Sequence, residues 1–138
     1  MSKLSTAVAV NLQIPRWIVA FSALAALLLA VGASISLLAP QRLVPPGAEI
    51  NSAAQIYAAY TFSRDLALFI VLCLGLIKRS RSILVVMMGL FSVINFCDAV
   101  MDIKESRLPI FVIALLLSLI AAIAVIRLLK IERHSAAQ

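Results

Sequence analysis

Acidic side chains are scarce in this 138-residue sequence, six Asp and Glu against twelve Lys and Arg. Histidine occurs once, at His134 in the tail, and cysteine twice, at Cys73 and Cys97. Both cysteines sit inside apolar runs and no CxxC is present, which argues against a Cys/His zinc site or a disulfide scaffold. No phosphate-binding glycine loop, Ser-His-Asp set or metal-ligand cluster is spelled out. We therefore expect no metal and no cofactor. Charged residues make up only 13% of the chain. The basic ones stand at the ends of apolar runs, so the net charge of +6 speaks for membrane orientation and anionic headgroups rather than nucleic acid.

What the chain has in excess is apolar surface: 64% of residues are hydrophobic and the mean hydropathy is +1.11. A soluble domain is nearer half apolar, and only a bilayer makes this composition sensible. Four apolar runs predict spans at about 17–39, 53–77, 82–100 and 109–130 within one transmembrane domain covering residues 1–138. Each is long enough for a hydrocarbon core of about 30 Å at about 1.5 Å per residue. Arg16 and Trp17 open the first and Pro40 ends it. Pro45, Pro46 and Gly47 mark a loop, Lys78, Arg79, Ser80 and Arg81 a tight basic turn, and Pro109 a helix start. Short links make neighbouring spans antiparallel, so the predicted fold is all-α, an up-down-up-down bundle of four transmembrane helices. Lys3 and Arg16 ahead of an apolar run with Val31 and Ala33 also resemble a signal peptide, but the run is long for that role and is read as a retained span.

Charge orients the bundle. Lys3, Arg16, Lys78, Arg79, Arg81, Arg127, Lys130 and Arg133 share one side, and only Arg42, Lys104 and Arg107 the other. The positive-inside rule puts both termini in the cytoplasm, here of a bacterial inner membrane.

Polar groups inside the spans carry the functional expectation, because a charge there costs roughly 2.5–3.5 kcal/mol on insertion scales. Arg64 and Asp65 lie in the second span, Asn95 and Asp98 in the third. Arg64 and Asn95 are each about 20 Å from the basic turn, so an Arg64–Asp98 pair with Asn95 alongside is sterically reasonable. Tyr57, Tyr60, Thr61 and Arg64 form one stripe, and Ser92, Asn95, Asp98 and Asp102 another. If the stripes face each other they make a polar pocket in the outer half of the bilayer. A structural clamp between the helices is the competing role. Asp65 pairs locally with Arg64 or faces the first or fourth helix through Ser36, Ser34 or Ser118. Cys73 and Cys97 are too far apart in depth for a disulfide and read as packing residues. Ala23, Ala26, Ala30 and Ala33, with Gly32 beside them, offer a close-contact face, and Gly75 and Gly89 could act likewise.

The string SRDLALFIVLCLGLIKRSRSILVVMMGLFSVINFCDAV resembles small, largely uncharacterised four-helix membrane proteins of DoxX-like character. The matching residues are Arg64, Asp65, Arg79, Arg81 and Asp98, over about a third of the chain, with Leu68 and Phe69 where a glycine is usual. Small multidrug transporters would need an acidic residue in the first span, which has none. The Arg/Asn/Glu pattern of glutathione-type membrane transferases and the His and Glu set of a sterol-isomerase site are also missing.

Three functional classes remain. The leading one is a small integral membrane protein, a binding or accessory subunit. Its ligand-binding residues would be Arg64, Asn95, Asp98, Tyr57, Tyr60 and Thr61. The second is an intramembrane enzyme on a lipid-like or isoprenoid substrate, with Asp98 or Asp65 as catalytic acid or base. The third is a small proton-coupled transporter. The expected partners are membrane lipid, a lipid-like small molecule, and a second copy or a larger membrane complex.

Overall fold

The computed structural model describes residues 14–43, 51–104 and 107–136; Lys3, Pro45, Pro46 and Gly47 lie outside them. Four helices follow one another: α1 (Arg16–Leu38), α2 (Ser52–Ile77), α3 (Arg81–Lys104) and α4 (Leu108–Ala136). A 3₁₀ turn, Pro40–Leu43, follows α1. Each helix is long and apolar enough to cross a membrane, and the architecture is the expected all-α four-helix bundle. Large aliphatic side chains such as Leu27, Val86, Leu116 and Ile123 stand exposed along its outside. In water such a surface would aggregate; in lipid it is the natural exterior. The chain is built as a multi-pass membrane protein.

Helix ends follow local chemistry. Asn51 caps α2, its side chain accepting the amide of Ala54 at 2.9 Å. Ala39 leaves the helical region ahead of Pro40, as a residue before proline does. Two boundaries differ from expectation. Residues 101–104 continue α3, so Asp102 is helical rather than in a loop, and its carbonyl accepts the amide of Arg107 at 2.9 Å. The last helix runs on to Ala136 because nothing in residues 130–136 breaks it.

The basic turn is a Schellman motif. Ser80 N–H donates to the carbonyl of Gly75 at 3.0 Å and Arg79 N–H to that of Leu76 at 3.2 Å. Arg79 takes φ 49° there, the position glycine usually fills. Ser80 then leads α3, its carbonyl accepting Leu84 N–H at 3.0 Å. Gly75 makes the tight return fit, since a Cβ on it would stand 2.8 Å from Ile83 Cγ2.

Packing is uneven. Helices α1 and α2 form one close pair, and α3 and α4 another; α2 meets α3 more lightly. The α3–α4 contact is intimate because α4 buries small residues, Ala114, Ser118, Ala121 and Ala124, at spacings of three and four. Ser92 and Ser118 bond reciprocally across it, each hydroxyl donating to the other residue's carbonyl at 2.9 Å. The apolar core gathers at the end where the basic turn lies, around Ile18, Phe21, Leu72, Leu84, Met88 and Leu128. On α2 and α3 every member of this cluster lies between the turn and the helix midpoint, while Ala58 and Ala99 are buried beyond it. Phe21 and Phe91 meet edge-on at 6.2 Å, and Ser22 Oγ lies 3.7 Å from Met88 Sδ, tying α1 to α3 at this end.

Three packing expectations need correction. The buried residues of α1 are Ile18, Phe21, Ser22, Ala25, Ala26, Leu29, Ala33 and Ser36; of the expected stripe Ala26 and Ala33 are among them, while Ala30 is half-buried and Ala23 exposed, so the stripe is only in part the packed one. Periodicity in alanine alone could not tell which side meets α2. Gly89 has nothing within 4 Å of a Cβ position and serves no close approach. Cys97 is exposed on the outer side of α3 rather than packed, while Cys73 is half-buried; both are free thiols.

Candidate functional site

Arg64 and Asp65 stand at the middle of α2, with residues 52–63 before them and residues 66–77 after, twelve on each side. That is where an ionised side chain is most costly in a bilayer. The cost is met locally. Arg64 Nε–H donates to Asp65 Oδ1 at 3.0 Å, giving a paired unit of no net charge. This pair replaces the expected Arg64–Asp98 ion pair, which does not form within 4.0 Å. The reason is geometric: Asp65 turns toward α1, and the long Arg64 side chain reaches back to it through Nε.

Asp65 is able to turn that way because α1 presents Gly32. A Cβ there would lie 2.7 Å from Asp65 Oδ2, closer than real Cβ contacts come. The carboxylate side chain is 9% exposed, that of Arg64 42%. Asp65 thus faces the first helix, at Gly32 rather than through Ser34 or Ser36. Ser34 and Ser36 donate to carbonyls of their own helix, those of Ala30 and Gly32. Ser118 is taken by Ser92. Gly32 is the residue whose importance sequence reasoning missed. Beside the alanines of α1 it looks like one more small residue, and a carboxylate on a different helix gives no sign of needing it.

The two expected polar stripes are only partly brought together. On α3, Phe91, Asn95, Asp98 and Asp102 succeed one another at spacings of three and four, hence along one side. Phe91 is 6% exposed within the core. Further out Asn95 and Asp102 are half-buried and Asp98 is exposed. The side of α3 that is packed at Phe91 is therefore uncovered at Asp98, although Ala99 beside it is buried. Ser92 belongs to the α4 contact instead. Asn95 donates to the carbonyl of Phe91 at 2.8 Å within its own helix. On α2, Arg64 lies on the exposed side, with Thr61 half-buried and bonded to the Tyr57 carbonyl at 3.0 Å. Tyr57 and Tyr60 are 63% and 73% exposed. Among the described residues no three His, Cys, Asp or Glu side chains come together as metal ligands.

Chemically the arrangement offers a half-exposed guanidinium on α2 and an exposed carboxylate, Asp98, on α3. Asp65 is engaged and turned away. No family model, curated protein or solved structure matches this chain.

Proposed function

We propose that the protein is a binding or accessory subunit of a bacterial inner membrane, with both termini cytoplasmic. Its polar cleft, bounded by Arg64 and Thr61 on α2 and by Asn95 and Asp98 on α3, opens in the half of the bilayer away from the cytoplasm. The ligand class is a lipid-like small molecule. The observation that carries the reading is the change along one side of α3, from core-buried Phe91 to exposed Asp98. A bundle whose polar residues served only to clamp helices would close over them, since a buried charge without full satisfaction is costly. The orientation rests on the basic excess at the turn end.

Substituted cysteines test both parts in a Cys73→Ala, Cys97→Ala background. A membrane-impermeant thiol reagent added to intact cells should label Asp98→Cys and leave Phe91→Cys and Ser80→Cys untouched. Labelling at Ser80 with protection at Asp98 would reverse the orientation. Protection of Asp98→Cys from both sides of the membrane would show a dry contact and end the cleft reading.

A further inference from the structure

The two helix pairs are joined in a way that bears on access to the cleft, and this step rests on the cleft reading above. Within the first pair α1 and α2 pack closely, and Gly32 of α1 meets the Asp65 carboxylate at the middle of α2. Within the second, α4 buries Ala114, Ser118, Ala121 and Ala124, and Ser92 and Ser118 bond to each other's carbonyls. The apolar cluster that unites all four helices gathers instead at the turn end. There Phe21 meets Phe91, Ser22 meets Met88, and Gly75 lies against Ile83 and Leu84. The chain passes from one pair to the other at this same end, between Ile77 and Arg81.

Away from the turn, sides that start packed become uncovered. On α2, Arg64 lies about three turns from Gly75 and so on the same side. Gly75 is packed on α3, whereas the Arg64 side chain is 42% exposed. On α3, Leu84, Phe91 and Asp98 follow one another every two turns; the first two are buried and the third is exposed. On α1, Phe21 is buried and Leu28, two turns on, is exposed. An interface confined to one end holds two bodies together and leaves their rotation free. We infer that the protein is a hinge, in which α1–α2 and α3–α4 each move as a rigid body about the layer of Phe21, Phe91 and Gly75. Opening admits the ligand from the bilayer. Closing takes Arg64 and Asp98 out of lipid, where polar groups are costly. Asp98 stands about 21 Å along α3 from Leu84, so a rotation of about 15°, the size of a known rigid-body subunit rotation, moves it by about 5 Å.

The test is double electron–electron resonance on the full-length protein in nanodiscs of phosphatidylethanolamine and phosphatidylglycerol, in the Cys73→Ala, Cys97→Ala background. Spin labels on Ile56→Cys and Ile113→Cys span the two helix pairs at the outer end. Labels on Leu74→Cys and Ile126→Cys span them at the turn end. Leu37→Cys with Ile56→Cys, and Ile103→Cys with Ile113→Cys, each stay within one pair. All six positions are exposed, so the labels disturb no packing. The Ile56–Ile113 distances should fall in two populations, or one broad one, with a spread of about 5 Å beyond that of the other three label pairs. Those three should each give a single narrow distance. An Ile56–Ile113 distribution as narrow as the rest would overturn the hinge; with Asp98→Cys still open to reagent, it would leave a fixed cleft standing. Equal breadth in all four would overturn the hinge as well, because the helix pairs themselves would then be loose. A narrow Ile56–Ile113 distance together with Asp98→Cys closed to reagent would end both readings.

Discussion

Replacing Gly32 by alanine isolates the contact on which the Arg64–Asp65 unit depends. The new Cβ would stand 2.7 Å from Asp65 Oδ2, where ordinary contact begins at 3.4 Å. Something must move by about 0.7 Å, the difference between those two distances. The carboxylate is not free to swing, because Arg64 Nε holds Oδ1 at 3.0 Å. Overpacking of this kind costs about 1–3 kcal/mol. The exchange of glycine for alanine inside a helix returns about 1 kcal/mol. The net single-mutant effect is therefore a destabilisation of about 0–2 kcal/mol, too close to zero at its lower end to decide the matter alone.

The decisive measurement is a double-mutant cycle with Asp65→Ala. In that background the obstructing oxygen is gone, so Gly32→Ala should stabilise by up to about 1 kcal/mol. The loss of Arg64's partner is common to both members of that comparison and cancels. A coupling of about 1–3 kcal/mol is expected. Reversible unfolding in mixed micelles, by dodecyl sulfate titration followed by circular dichroism, would read it. Gly89→Ala is the control: nothing lies within 4 Å of its Cβ position, so it should gain up to about 1 kcal/mol in either background. Equal effects of Gly32→Ala with and without Asp65 would refute the contact.

The same titration tests two further points. Ser92→Ala and Ser118→Ala should each cost about 0.6–1.7 kcal/mol. Each hydroxyl donates to the other residue's backbone carbonyl, which survives mutation, so the two effects should add to within about 0.5 kcal/mol; a strong coupling would mean that the Oγ–Oγ contact dominates. Arg79→Gly should stabilise by about 1–2 kcal/mol, because the residue sits at φ 49° where a Cβ is costly, whereas Arg79→Ala should gain nothing; equal behaviour of the two would rule out backbone strain as the cause.

Helix number, order and approximate ends were legible from the sequence because each depends on a local signal. Apolar runs set the spans, Pro40 and Pro109 bound two of them, and the 78–81 segment could only be a turn. The position of each polar residue along its helix was also legible, since it needs only a count along that helix. What failed was the rotation of one helix against the next. Ser92 shares a stripe with Asn95 and Asp98 by number, yet the contact with α4 claims it. Ala23 and Ala26 are three apart, yet one is exposed and the other buried. Periodicity groups residues on one helix, and nothing in it names the neighbour that the group will meet.

Arg64 shows why the difference matters for function. Adjacent residues on a helix point about 100° apart, which made Asp98 across the groove seem the better partner. That geometry applies to Cβ directions, not to the head of a long side chain. Arg64 reaches back with Nε and leaves its terminal nitrogens outward, so pairing and availability coexist in one residue. A pair with Asp98 would have spent the two charges on each other. With Asp65 as the partner, turned to Gly32 on the far side of α2, the guanidinium is neutralised from behind and Asp98 stays exposed. The neighbouring carboxylate thus lets a charge sit at the middle of a membrane helix without closing the bundle over it. The glycine in α1 is what allows the carboxylate to stand there.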